Sequence, residues 1–173
     1  MKEIHQRKIF DYLLKNKIFN FVGVPDSTMK YFIDQGLKCK KVLIATREDE
    51  AIGIATGMSL FLEDSKEIIS KSQSNSLVFM QNAGFANSLG TITSLIDLYK
   101  IPIIFIIGWR GFLKNDAPEH EKIGKIQPKL LTTIQLKNRI IDERNWERNC
   151  KWALNQMKKD TSVALVVRRD TLE

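Results

Sequence analysis

Cysteine is scarce in this sequence of 173 residues: Cys39 and Cys150 are the two, far apart in the chain. Two lone thiols build neither a disulfide framework nor a cysteine metal site, and they fit a reducing cytosol. No metal ligand set is expected from this chain. Long apolar runs are missing as well. The longest, Ile101 to Trp109, is interrupted by Pro102 and is about half of the ~20 residues that cross a bilayer. The first eight residues, Met1 to Lys8, lack the apolar core of a signal peptide. A cytoplasmic protein without membrane contact is the expectation. Internal repeats, low-complexity tracts and a linker are absent too. The length fits one domain on a prior of roughly 100–200 residues. A cofactor enzyme that builds its site from several domains cannot fit into one such unit, so a chain of that kind would be part of one.

What is there is ordinary in amount, with 43% apolar and 27% charged residues. Lys and Arg number 27 against 20 Asp and Glu, a net charge of +7. From Lys122 onward twelve Lys/Arg face six Asp/Glu, so most of the excess lies there. The basic residues are scattered, and neither helix-turn-helix nor zinc-finger spacing occurs. A solvated face, or a surface that meets an acidic partner, explains the charge better than nucleic-acid binding.

Periodicity divides the chain into alternating elements. Residues 3–17 have helical spacing. Phe19 to Val24 reads as a buried strand ending at Pro25. A helix capped by Asp26 or Ser27 runs to about Gln35, with Gly36 as its stop. Val42–Ala45 is a strand, and residues 49–62 a helix rich in small residues that lets another element approach closely. Residues 65–76 read as a helix tail and exposed loop. Leu77–Met80 is a strand, followed by a Gly/Asn turn and a helix ending near Tyr99. Ile101–Ile107 is a strand, 119–131 a helix, 133–141 a short strand, 143–159 a helix, and Val163–Val167 the last strand. The strands are continuous apolar runs, which predicts a sheet covered on both faces. The fold class is α/β, a doubly wound, mostly parallel sheet flanked by helices. Ligands of such sheets sit at the carboxyl ends of the strands, which singles out four loops.

Each loop has a plain structural reading beside a chemical one. Asp26 and Ser27 are good helix caps, or a polar pair at a site mouth. The carboxylates of Glu48, Asp49 and Glu50 complement a helix dipole. Glu48, however, sits at the strand–helix junction, where a partly buried carboxyl exchanges a proton near neutral pH. Gln81-Asn82-Ala83-Gly84-Phe85-Ala86-Asn87 is a tight turn, or a close backbone approach to a planar ligand at Gly84. It lacks the Lys-Ser/Thr pair of a P-loop and the second glycine of a dinucleotide loop. Arg110, between Gly108-Trp109 and Gly111, is an anion clamp or a surface arginine stacked on Trp109. His120 opens the next helix with or without a chemical role; His5 reads as surface.

Taken together, Gly-Val-Pro-Asp-Ser (23–27), Arg47 to Gly57, Met80 to Ser88 and Ile107 to Gly111 resemble the pyrimidine-binding domain of thiamine diphosphate-dependent 2-oxoacid decarboxylases. The resemblance runs over nearly the whole chain. It is greatest to phosphonopyruvate decarboxylases, with sulfopyruvate decarboxylases close behind. It implies that Glu48 hydrogen-bonds the aminopyrimidine ring of the cofactor, and that Gly84, Asn87, Gln81 and Asn82 line it. Asp26, Ser27 and His120 match polar positions near the substrate, for proton relay or carboxylate contact, and Arg110 suits a phosphonate. The Gly-Trp-Arg-Gly run and Asp116-Ala117-Pro118-Glu119-His120 favour phosphonopyruvate, converted to phosphonoacetaldehyde and CO2. Arg47-Glu48-Asp49-Glu50 leans toward sulfopyruvate. Ala117 and Glu119 depart from the expected Asp-Glu-Pro-Gln-His. Residues 65–76 look longer than in the family.

In that family Mg²⁺ and the diphosphate are held by a second domain marked by Gly-Asp-Gly, which does not occur here. The resemblance therefore implies that residues 1–173 are a single pyrimidine-binding domain, the α subunit of a decarboxylase. The metal-binding domain would lie on a separate β chain, in an α2β2 or larger complex, with no useful activity from α alone. The alternative is a non-catalytic binding or regulatory module of the same fold.

Overall fold

The computed structural model describes residues 1–64, 75–113 and 116–168. Six strands form one sheet: β1 (Asn20–Gly23), β2 (Val42–Ile44), β3 (Ser76–Gln81), β4 (Ile104–Trp109), β5 (Lys137–Ile141) and β6 (Val163–Arg168). Their order is β2-β1-β3-β4-β6-β5, and every neighbouring pair is parallel. The expected doubly wound sheet is thus present, and it is wholly parallel.

The strand sequences explain why both faces are covered. Phe21, Leu77, Phe79, Ile104, Ile106, Val163 and Leu165 point to one face. Their chain neighbours Val22, Val78, Met80, Phe105, Ile107, Ala164 and Val166 point to the other. Side chains of a strand alternate between faces, so a strand apolar at every position must be buried on both. The first face is packed by α1 (Glu3–Lys15), α2 (Lys30–Lys38) and α7 (Trp146–Met157). At its centre Phe10 lies 4.4 Å from Phe21 and 5.4 Å from Phe32, between ring centroids. The second face is packed by α3 (Glu48–Asp64), α4 (Asn82–Asn87), α5 (Leu89–Thr91), a π-helical segment (Ile92–Asp97) and α6 (Pro118–Thr133). Ala51 and Ala55 let α3 lie close on β1 and β3. The outer face of α3 shows Gly53 and Gly57 with nothing within 4 Å of where a side chain would begin. The close approach expected of this helix is made on its alanine side only.

Several boundaries differ from expectation for identifiable reasons. Gly36 does not stop α2. It is buried inside the helix, where a methyl group would run into Val42 and Phe10. A 3-10 turn, Ser27–Met29, precedes α2, with Asp26 as its cap. The helix after β3 is broken into α4, α5 and the π segment. There the hydroxyls of Ser88, Thr93 and Ser94 bond carbonyls one turn back, at Gly84, Leu89 and Gly90, a habit that bends helices. α6 continues through Pro128. β5 is not an apolar run but an edge strand, exposed from Lys137 to Ile140, and its basic residues suit an edge. Of the loop expected at 65–76, residues 65–74 lie outside the described residues.

Five helix-to-strand turns share one design. Lys17, Lys40, Lys100, Gln135 and Asp160 all have left-handed backbones, with φ between 53° and 69°. In each turn the next residue's N–H reaches back to the carbonyl five positions earlier, from Ile18 to Leu13 and from Leu136 to Leu131 for example, at 3.0–3.1 Å. This closes the orphan carbonyls of the helix end.

Candidate active site

The topology selects the place. After β1 the chain moves outward to β2, and after β2 it returns past β1 to β3. The segments leaving β1 and β3 therefore pass to opposite faces of the sheet and open a crevice between them, the position at which parallel sheets take ligands.

Glu48 begins α3 beside this crevice. Its two acidic neighbours are occupied. Glu50 Oε2 accepts from the Thr46 hydroxyl at 2.6 Å and the Thr46 N–H at 3.0 Å, which holds its carboxyl below the usual pKa. Asp49 forms a two-pronged pair with Arg47, at 3.0 and 3.1 Å; that pairing likewise lowers its pKa. Both serve the start of the helix. Glu48 is half-buried and, among the described residues, its carboxyl has no hydrogen-bond partner. It lies over Gly84 of α4: a methyl group on Gly84 would overlap the Glu48 carboxyl. Gly84 is glycine because that space belongs to Glu48. Asn87 lies one turn further along α4 and is exposed. Gln81 ends β3, half-buried.

A second group assembles around Arg110, just past β4. Its side chain is 12% exposed and is held by Asp116, 4% exposed, through Nη2 at 2.6 Å and Nε at 3.0 and 3.2 Å. Asp116 also accepts the backbone N–H of Gly111 at 2.7 Å and of Ala117 at 2.9 Å. The guanidinium, followed by these amides, holds the Asp116 carboxyl far below the usual carboxylate range, and Asp116 in turn raises the pKa of Arg110. Arg110 Nη1 donates to Ser27 Oγ at 3.2 Å. The Arg110 carbonyl accepts from Asn82 Nδ2 at 2.8 Å. Arg110 is thus neither a free anion clamp nor stacked on Trp109. It joins the loops that follow β1, β3 and β4.

Asp26 lies beneath this group. Its Oδ1 caps the short turn by accepting from Thr28 N at 3.2 Å. Its Oδ2 is buried without a partner and points at Gly108, where a methyl group would overlap it. The cap reading of Asp26 is met by Oδ1, and Oδ2 takes no part in it. Asn82 is fully buried with Oδ1 likewise unpartnered. A buried polar atom without a partner is costly in a folded protein. Two such oxygens at the carboxyl ends of strands mark a place that a ligand or water completes.

His120 sits in the first turn of α6, half-exposed; its carbonyl, not its ring, packs against Gly111. The helix is fastened by an unexpected device. Pro128 has no N–H for the Gly124 carbonyl, and the indole N–H of Trp109 takes its place at 2.8 Å. Sequence reasoning missed three residues here. Asp116 and Gly108 were read only as motif neighbours. Gln127, with its whole amide buried and unpartnered, gave no signal among the polar residues of α6. Among the described residues no cluster of three or more His, Cys, Asp or Glu is placed to hold a metal ion, and no helix is long and apolar enough to cross a membrane.

No protein-family model matches the chain. It is 37% identical over 130 residues to the sulfopyruvate decarboxylase subunit alpha of Methanococcus maripaludis, covering 74% of this chain and 71% of that one. The subunit of the same name from Methanocaldococcus jannaschii is 31% identical over 126 residues, 71% of this chain and 68% of the other. The phosphonopyruvate decarboxylase of Streptomyces viridochromogenes is 27% identical over 134 residues, which are 76% of this chain but 31% of that protein. Among solved structures, benzoylformate decarboxylase from Polynucleobacter necessarius superposes with a TM-score of 0.69 at 19% identity over 97% of this chain. The thiamine diphosphate-dependent 4-hydroxybenzoylformate decarboxylase of Rhodococcus jostii gives 0.62 at 15% identity over 94%. This chain spans 31% and 30% of those two chains. At such identities the likeness establishes the fold alone, a doubly wound parallel α/β domain.

Proposed function

The chain belongs to the family of sulfopyruvate decarboxylase α subunits and phosphonopyruvate decarboxylases, and we propose that it is the pyrimidine-binding α subunit of a thiamine diphosphate-dependent decarboxylase acting on sulfopyruvate. One observation carries the reading. In a helix start crowded with carboxylates, Glu48 alone is unpaired, and it lies over the one glycine of α4.

The residues present fit the cofactor's pyrimidine ring. Glu48 offers a carboxyl oxygen for a single hydrogen bond to a ring nitrogen, and Gly84 leaves the space for a planar group to come close. When bound, thiamine diphosphate supplies the electron sink that loss of CO2 from a 2-oxoacid needs. The work of this chain is to bind and orient. Glu48 holds or passes a proton at its carboxyl oxygen. Asp26 Oδ2, Ser27 Oγ and the His120 ring offer proton-relay or carboxylate-contact positions on the substrate side. Gln81, Asn82 and Asn87 flank the pyrimidine position.

The diphosphate and Mg²⁺ are assigned to a β chain, in an α2β2 or larger assembly. One fact supports this division: the relatives matched over most of their length are called subunit alpha. The substrate differs from the one placed first on sequence. Arg110 argued for a dianionic phosphonate, but its guanidinium is already bonded to Asp116. The nearer relatives act, by name, on sulfopyruvate.

The test is reconstitution. The chain is mixed with its β partner, thiamine diphosphate and Mg²⁺, and CO2 release is followed with both substrates. A higher kcat/KM for sulfopyruvate supports the reading, and a preference for phosphonopyruvate overturns the substrate. Full activity of this chain alone overturns the split site. An active complex whose Glu48→Gln variant is unchanged would return the chain to the non-catalytic alternative, or move the role from Glu48.

A further inference from the structure

Arg110 binds in three directions, and one residue fixes all three. Asp116 grips Nε and Nη2 of its guanidinium, which leaves Nη1 facing Ser27 Oγ. It also gathers the loop backbone through the Gly111 and Ala117 amides, and so sets the Arg110 carbonyl that receives Asn82 Nδ2. A flexible arginine at a site mouth would sample many rotamers, whereas a planar guanidinium held by two prongs has one orientation. We propose that Asp116 is a positioning residue: acting through Arg110, it places the Ser27 hydroxyl and ties the loops after β1, β3 and β4 into one wall of the crevice. The inference rests on the decarboxylase reading for the meaning of the wall, but not for its existence.

The bonds predict a chain of dependence. Without the Asp116 charge, Arg110 loses its two-pronged hold and Nη1 leaves Ser27. Ser27 then stands where an alanine would do equally well. Asp116→Asn is the variant of choice, because it keeps the shape of the side chain and removes the charge; its one amide oxygen can accept from only one of the Gly111 and Ala117 N–H groups, which bond different oxygens of Asp116. Misplacement of a positioned group by about 1 Å costs on the order of 10²-fold in rate.

Two measurements test this. In the reconstituted α–β enzyme, kcat/KM is measured for Asp116→Asn, Ser27→Ala and the double variant. The expectation is a loss of about 10²-fold for Asp116→Asn and almost no further loss on adding Ser27→Ala, because the two share one path. Fully additive losses overturn the proposal, since a merely structural carboxylate would not silence Ser27. The second measurement uses the full chain alone and needs no activity: exchange of the Arg110 Nε–H with solvent, followed by NMR. Protection in the wild type, lost in Asp116→Asn and retained in Ser27→Ala, supports the proposal. An unprotected Nε–H in the wild type overturns it. An inactive wild-type complex with a protected Nε–H would sink the decarboxylase reading and leave the Asp116 grip standing.

Discussion

The two ends of the sheet solve their backbone problems in opposite ways. At the lower end, where helices turn into strands, five turns close their hydrogen bonds completely and store strain in φ. Lysine, glutamine and aspartate occupy positions at which glycine would be unstrained, a cost of roughly 1–2 kcal/mol each for a left-handed backbone. At the upper end, glycine appears instead. Gly84 stands under Glu48 and Gly108 against Asp26, and both are needed for space. Here the oxygens of Asp26 and Asn82 are left unpaired. Strain in φ sits where only the fold is at stake, and at the upper end two unsatisfied oxygens sit beside the glycines that make room there.

The sharpest attempt to break this comparison is Glu48→Gln. It removes the carboxyl proposed above to pass a proton, which holds nothing else in place, so activity of the reconstituted enzyme is expected to fall about 10²–10⁴-fold with unchanged thermal unfolding. A large loss of stability would make Glu48 structural.

Gly84→Ala comes next. The added methyl group meets the flexible end of Glu48 and pushes it aside, so the chain still folds while activity drops by about 10²-fold. An active Gly84→Ala enzyme would remove the reason given for the glycine.

Asp116 separates the two ends by pH. Its carboxyl titrates well below the ordinary carboxylate range because of Arg110. The stability it contributes is therefore present above the unfolded value, near pH 4, and is lost as pH falls through the lower folded value. Hydrogen bonds to a charged group are worth about 1.5–3 kcal/mol. Denaturant unfolding between pH 6 and pH 2 should show a shallower acid decline in Asp116→Asn than in the wild type. Equal slopes would mean that the pair does not form.

The smallest effect is expected at the lower end. Lys40→Gly or Lys100→Gly relieves the left-handed backbone but adds freedom to the unfolded chain, a net gain of roughly 0.5 kcal/mol per site. A Tm higher by about 1–2 °C for each is anticipated, with distant sites adding. A drop in Tm would deny that these turns are strained.

The same contrast decides what could be read from the sequence. β1, β3, β4 and β6 were legible because each is an apolar run buried on both faces, and the parallel doubly wound sheet followed from them. The crevice was legible too, because its loops follow those strands. Helix ends were not, since the usual signal is glycine and this chain keeps glycine elsewhere. Gly36 has the residue type of a helix stop but serves a tight contact with Phe10, and Lys40, where α2 turns, carries no such mark. Glu48 could be singled out from Glu50 by register alone; that Glu50 is bonded to Thr46 had no mark in the sequence. Arg110 could not be read correctly, because its partner is six residues away across a turn that periodicity does not encode.

The π-helical segment Ile92–Asp97 has a consequence of another kind. A π turn takes in one residue more than an α turn, and each residue of an α-helix advances the phase by about 100°. Ile92 and Ile96 both face the core across this segment, and Ser88 just before it is bonded to Gly84. Removing one residue between 92 and 97 would let the helix wind regularly and leave all that follows in phase, because the π turn is what absorbs the extra residue. In this stretch the number of residues is less constrained than in the regular helical turns beside it. A one-residue insertion or deletion between homologous chains should be met here sooner than in the flanking turns.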